Sequence, residues 1–255
     1  GPGTPASGRS VFLVEGVDNL VLDGITLKND HVRVDNASNQ AETIYFNSSY
    51  RLIAKNSSFI SEQDTLLLKG YTWFYNTLVA GNVDFIWGYS VASLFENSEI
   101  RSLGDSKGSS DGYILQARTE NITDPGFVFL NSRLTRGAGP TGNVIADGTS
   151  YLARSGGKAE NYDNVTFVNC QMDAHIADIG WAGEGVNSQP APNPELANAQ
   201  SGWKEFGSTD LNGNPLDLSA RQSGYVLSSG EAAAYLDRAS VFAGYNGGAG
   251  WNPEP

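Results

Sequence analysis

The chain has 255 residues, 40% hydrophobic and only 17% charged, with a formal net charge of −12; that is the composition of one large or two small folded domains, not of a disordered chain. No Lys/Arg cluster relieves the acidic balance, which excludes nucleic acid and anionic membrane as partners and disfavours a densely anionic polymer, since phosphate neutralisation needs a basic stripe. A lone cysteine, Cys170, leaves no internal disulfide. No apolar run reaches the ~18 residues of a membrane span, and the opening GPGTPASGRS carries no signal-peptide pattern.

In chain order, six segments share one pattern: an apolar strand, a turn-forming Asx residue, then a second short strand. They are LVLDGITL around Asp23, RLIAKNSSFI around Asn56, WFYNTLVA around Asn76, SLFENSEI around Asn97, FVFLNSRL around Asn131 and VTFVNCQM around Asn169. Successive Asx positions lie 33, 20, 21, 34 and 38 residues apart. A core unit of about 20 residues, lengthened by loops, is the mark of a parallel solenoid. Asn tolerates the left-handed conformation that a sharp bend requires, and stacked Asn side chains can hydrogen-bond from coil to coil. An antiparallel sandwich would instead show strands at about 8–12-residue spacing with hairpin turns. The expected fold class is therefore all-β, a right-handed single-stranded parallel β-helix.

Residues 186–199, polar and proline-rich, read as a long surface loop. Farther on, Ser228 or Ser229 caps a helix expected over 231–239, a run of good helix formers packing on the solenoid. Residues 1–255 are expected to form a single domain.

Few residues could carry chemistry. His31, His175 and Cys170 fall in no metal-ligand spacing, so neither a metal nor a cofactor is expected. No G-x-S-x-G elbow supports a Ser-His-Asp site. A G-x-G-x-x-G at Gly137, Gly139 and Gly142 contains Pro and precedes no helical pattern, so it reads as a turn. DLNGNPLD from Asp210 lacks the closing Glu of a calcium loop and also reads as a turn. What remains is QDTLLLKG (63–70) and GNVDFIWG (81–88), each with one aspartate in an apolar run. Asp64 and Asp84 are 20 residues apart, one coil of the solenoid, so their carboxyls, with Gln63 beside them, would share a groove about 4.8 Å per coil. Neighbouring carboxylates resist ionising together, and such a pair suits a nucleophile and a general acid/base. Singly, each Asp could equally cap a turn or satisfy backbone amides.

SEQDTLLLKG and GNVDFIWG resemble the two signature segments of pectin methylesterases (carbohydrate esterase family 8), QDTL and DFIFG. The second covers Gly81, Val83, Asp84, Phe85, Ile86 and Gly88. The strand pair ending LDGITLKND, the YILQARTENITDPGFVFLNSRL stretch, YLAR (151–154), IGW (179–181) and the closing VFAGYNGGAGWNPE are similar to the family's as well, so the resemblance spans nearly the whole chain, as a bacterial-type member. It implies a pectin-lyase-like solenoid, secretion to the extracellular space or periplasm, and methyl-esterified polygalacturonate (pectin) as substrate. Asp84 would attack the ester carbonyl, Asp64 would exchange a proton with methanol and then water, Gln63 would donate to the oxyanion, and Arg154 would hold Asp84 ionised. Trp87, Tyr113 and Trp181 would line the sugar groove, core packing being the alternative for each.

Three departures stand out. Where the family has QAVAL this chain reads NQAETIYF, so either Gln40 or Glu42 takes the first oxyanion position. LARSGG keeps Arg154 but lacks the Trp of LGRPW. The family's usual N-terminal coils are absent from this sequence, so an N-terminal segment or partner chain is expected to cover the first coil. The alternatives are another β-helix polysaccharide enzyme, of polygalacturonase or lyase type, and a non-catalytic carbohydrate-binding β-helix.

Overall fold

The computed structural model describes residues 4–108, 111–193 and 197–255. One coil shows how the sequence builds the solenoid. Leu66–Tyr75 runs ten residues, shifts register between Gly70 and Tyr71, turns at Asn76 and returns as Leu78–Gly81; Val83–Glu96 then begins the next coil. In flanking coils the two-residue period of RLIAK buries Leu52 and Ala54 and leaves Arg51 and Lys55 only half-buried.

Each coil stacks on the next in parallel, Leu66 opposite Ile86, Trp73 opposite Leu94 and Leu78 opposite Glu99. Two sheets result. The larger has 12 strands and bends along its length because Leu66–Tyr75 and Val83–Glu96 turn a corner, giving two faces; a 7-stranded sheet forms the third. The ladders between named strands are all parallel, which is the geometry of a β-helix and not of a sandwich.

The Asx repeat is visible as a ladder of bends. Asn56, Asn76, Asn97, Asn131 and Asn169 all have φ between 50° and 52°. Asn76 Nδ2 donates to Asn56 Oδ1 at 2.7 Å, and Asn56 Nδ2 to Asp23 Oδ1 at 2.9 Å. The first coil differs from the expected repeat. Asp23 pairs with Lys55, so it is Gly24 (φ 66°) that occupies the bend, freeing the Asp23 carboxylate to accept from the ladder. Inside, Phe74, Phe95, Phe129 and Phe167 stack one per coil at 4.7, 4.8 and 4.4 Å between centroids.

The tail departs from one continuous helix. Ser228 and Glu231 form a capping box on Ser229–Ala232, which tightens into the 3-10 turn Ala233–Tyr235. The chain breaks where Asp237 extends (φ −153°) and accepts from the Ser240 amide to start Arg238–Val241. Leu227, Ala232, Tyr235, Val241 and Phe242 seal the second face over Trp73, Leu94, Val128 and Val168. Gly139–Gly142 and Asp210–Asn214 are turns closed by their own backbone. In the expected loop over 186–199, residues 194–196 lie outside the described residues.

Candidate active site

Asp64 and Asp84 stand on the first face at the start of their coils, two residues before the paired Leu66 and Ile86. Glu42 holds the same place before Ile44, which pairs with Leu66. Three successive coils thus offer a carboxyl at one position, about 4.8 Å apart along the stack. Both aspartates adopt the left-handed backbone, φ 59° for Asp64 and 46° for Asp84, a conformation Asp tolerates better than bulkier residues. The glycines bounding GNVDFIWG make the second bend fit. A Cβ on Gly81 would collide with Phe85, and one on Gly88 (φ 133°) with the Leu68 carbonyl.

Asp84, 7% exposed, is gripped from the C-terminal side. Arg154 Nε donates to Oδ1 at 2.8 Å and the second guanidinium arm to Oδ2 at 2.5 Å, a bidentate charge-assisted pair. Burial opposes the Arg154 cation, but the hydrogen bonds and charge of Asp84 outweigh it and hold the guanidinium above its ordinary value. Gln116 Nε2 also donates to Asp84 Oδ2, at 3.2 Å. Arg118 in turn donates twice to Gln116 Oε1 (3.1 and 2.8 Å) and once to the Tyr89 hydroxyl (3.1 Å). The two guanidiniums lie over aromatic rings, Arg154 on Tyr113 at 4.4 Å and Arg118 on Trp87 at 4.7 Å.

Asp64, also 7% exposed, meets a different environment. Its carboxyl is pushed well above the usual range, first by burial, then by the charges of Asp84 and Glu42, with Arg9 and Arg118 opposing. Glu42 is fully buried. Arg9, from the short helix Ala6–Arg9, donates to both Glu42 oxygens and sits 3.5 Å from Asp64 Oδ2. One carboxyl clasped by a guanidinium beside one inclined to keep its proton is the division of labour that nucleophilic and acid/base chemistry needs.

The register places Glu42, not Gln40, on the carboxylate position; Gln40 is half-buried two residues upstream. Gln63 lies beside Asp64 and bridges through its backbone to Val83. Trp87 and Tyr113 border the site, and Tyr113 stacks on Tyr151. Trp181 does not line a groove. At 1% exposure it stacks on Trp203 at 5.4 Å in the interior and meets Phe167 at 5.9 Å, extending the phenylalanine column. Gln116, Arg118 and Arg9 were not singled out by sequence; the two-residue spacing of Gln116, in the strand Gly112–Ala117, and Arg118, just past its end, was the available signal. Ser102 and His175 do pair, with 3.1 Å from His175 Nε2 to Ser102 Oγ, but Nδ1 stands 4.0 Å from Asp173 with no hydrogen-bond partner, so no Ser-His-Asp relay is formed. The serine and the histidine are both buried in the interior, and burial lowers His175 to about 4.

The Pectinesterase family model matches residues 8–191. Pectinesterase 31 of Arabidopsis thaliana is 32% identical over 181 residues, covering 70% of this chain and 50% of that protein. The pectinesterase of Aspergillus aculeatus is 30% identical over 125 residues, covering 49% and 35%. The chain thus spans half or less of the length of these two relatives. Among solved structures, pectin methylesterase from Erwinia chrysanthemi superposes with a TM-score of 0.74 at 23% identity, covering 97% of this chain and 75% of that one. A pectin methylesterase in complex with a hexasaccharide gives 0.73 at 22% identity, covering 98% and 75%. These two likenesses establish the same parallel β-helix.

Proposed function

Since the chain belongs to the pectinesterase family, we propose that its Asp64–Asp84 site hydrolyses galacturonate methyl esters in pectin, releasing methanol and the de-esterified polymer. The observation that carries the proposal is the bidentate grip of Arg154 on Asp84, one coil from a carboxyl whose surroundings favour the proton. An Asp84 oxygen attacks the ester carbonyl carbon. Gln63 donates to the oxyanion that forms, and the tetrahedral intermediate collapses as Asp64 gives its proton to the departing methoxide. Methanol leaves, and the galacturonyl group remains on Asp84 as an anhydride. Asp64, now a carboxylate, takes a proton from water, which attacks the same carbon; the acid departs and Asp84 is regenerated. Trp87 and Tyr113 border the sugar path, and Arg118 supports Trp87 from above.

No cofactor or metal enters this reaction. The proposal extends to residues 1–255 acting as one domain, to secretion toward an extracellular polymer, and to an upstream segment or chain stacked on the first coil. The test is methanol release from highly methylated pectin. Wild type should release it, and Asp84→Asn, folded by circular dichroism, should not. Unsaturated or reducing sugar ends in place of methanol would overturn the proposal in favour of a lyase or glycosidase.

A further inference from the structure

The reaction above gives no part to the Arg9–Glu42 pair, although it occupies the same line of positions as the two aspartates. Resting on the esterase reading, we propose that Arg9 and Glu42 are a positioning pair of opposite charges that sets how readily Asp64 gives up and takes back its proton. The geometry is specific. Arg9 Nε reaches Glu42 Oε2 at 2.8 Å and Oε1 at 3.1 Å, while its NH2 group serves Glu42 Oε1 at 2.8 Å and faces Asp64 Oδ2 at 3.5 Å. One guanidinium nitrogen thus bridges carboxyls of neighbouring coils. Asn29 fixes the arrangement by donating its side-chain amide to the backbone carbonyls of both Arg9 and Glu42, at 3.1 Å each.

The groups facing Asp64 are Asp84 and Glu42 from the adjoining coils, Arg9 from the N-terminal helix and Arg118 from beyond Trp87, with Arg154 behind Asp84. Burial and the two carboxylates favour the proton on Asp64, as methanol departure requires. The cations favour its loss, as water activation requires. A Glu42 left alone would drive Asp64 too far toward the acid; an Arg9 left alone would drive it toward a fixed ion pair. Together they leave both steps open, and neither needs to touch substrate.

The charges being opposite, the two single variants must move Asp64 in opposite directions, although both break the same pair. A purely structural role would give the same loss for both and no such split. The test is a titration of Asp64 by 13C NMR of carboxyl-labelled aspartate, assigned through Asp64→Asn, alongside the alkaline limb of kcat for methanol release. Glu42→Gln should lower the Asp64 midpoint and Arg9→Gln should raise it, with the limb following each by about one pH unit. The double variant should lie between them, and Arg9→Lys should return the limb toward wild type. If Arg9→Gln does not fold, Glu42→Gln carries the test alone, a lowered Asp64 midpoint supporting the pair and an unmoved or raised one overturning it. Methanol release with an Asp64 midpoint that does not move, or moves the same way in both variants, overturns the pair and leaves the esterase standing. Opposite displacements in a chain that releases no methanol support the pair and overturn the esterase.

Discussion

On the proposed mechanism Arg154 has two tasks that one substitution separates from simple folding. Arg154→Leu removes both guanidinium hydrogen bonds from Asp84 and leaves a 7% exposed carboxylate with Gln116 Nε2 still donating at 3.2 Å. Charge-assisted hydrogen bonds contribute about 1.5–3 kcal/mol each. With about 3–4 kcal/mol withdrawn from the oriented nucleophile, kcat should fall roughly 10²–10³-fold. Unpairing a buried charge costs about 3–5 kcal/mol, but the Arg154 side chain is 22% exposed, so the lower part of that range is the expectation. Arg154→Lys, which keeps the charge but loses the fork, should sit roughly tenfold below wild type. Initial rates of methanol release and urea unfolding followed by circular dichroism measure the two quantities. Adding Asp84→Asn to Arg154→Leu should recover stability without activity, since no unpaired carboxylate then remains. A folded Arg154→Leu enzyme within about threefold of the wild-type rate would refute the assignment of Arg154.

Three further outcomes follow from the structure. Asp64 has a raised folded-state pKa, so its contribution to stability is fully present below the unfolded value of 3.8 and lost as pH rises through the folded value; Asp64→Asn should gain melting temperature on wild type between acid and neutral pH while kcat drops about 10²–10⁴-fold, and parallel melting profiles would contradict this. Lys204, 1% exposed and bonded to the Gly202 carbonyl, is lowered by burial to about 7; its contribution is present above 10.5 and lost as pH falls through about 7, on the order of 5 kcal/mol in all, so Lys204→Met should flatten that slope and stabilise most below pH 7 in thermal melts against pH. Phe129→Ala cuts the stacked column between Phe95 and Phe167 and should cost about 3–5 kcal/mol in urea unfolding, whereas a loss below about 1 kcal/mol would mean the column does not hold the coils together.

Much of the architecture could be read in the sequence because a β-helix is built from nearest neighbours. The Asn bends repeat in the coils from Asn56 to Asn169 and the strands alternate in period two, so register follows from local pattern. Asp64 and Asp84 were legible for the same reason, their 20-residue offset being one coil. What depended on distant contacts was not. Arg9 pairs with Glu42 across 33 residues of unlike sequence, and only the fully buried state of Glu42 shows that it needs a cation. Trp181 fell in a segment resembling a sugar-binding one, yet its neighbours Phe167 and Trp203 draw it inward. Asp237 looked like an ordinary residue in a helical run, and its capping of a new turn depends on the packing of Val241 and Phe242 on the second face.

Stacking the acidic groups on rungs of one ladder makes their separation come in whole steps. Neighbouring rungs stand about 4.8 Å apart, and no loop change can stretch that by a fraction, because the hydrogen bonds between coils fix it. Chemistry on such a scaffold is therefore edited by exchanging the residue on a rung, not by moving it. Glu42, Asp64 and Asp84 occupy three consecutive rungs. Adjacent rungs give the close carboxyl contact of covalent catalysis, and the outer two, two steps apart, come to about 9–10 Å, at the upper end of the spacing that admits a water between two acids. A ladder of this kind can pass between these two chemistries by single substitutions, with the backbone left where it is.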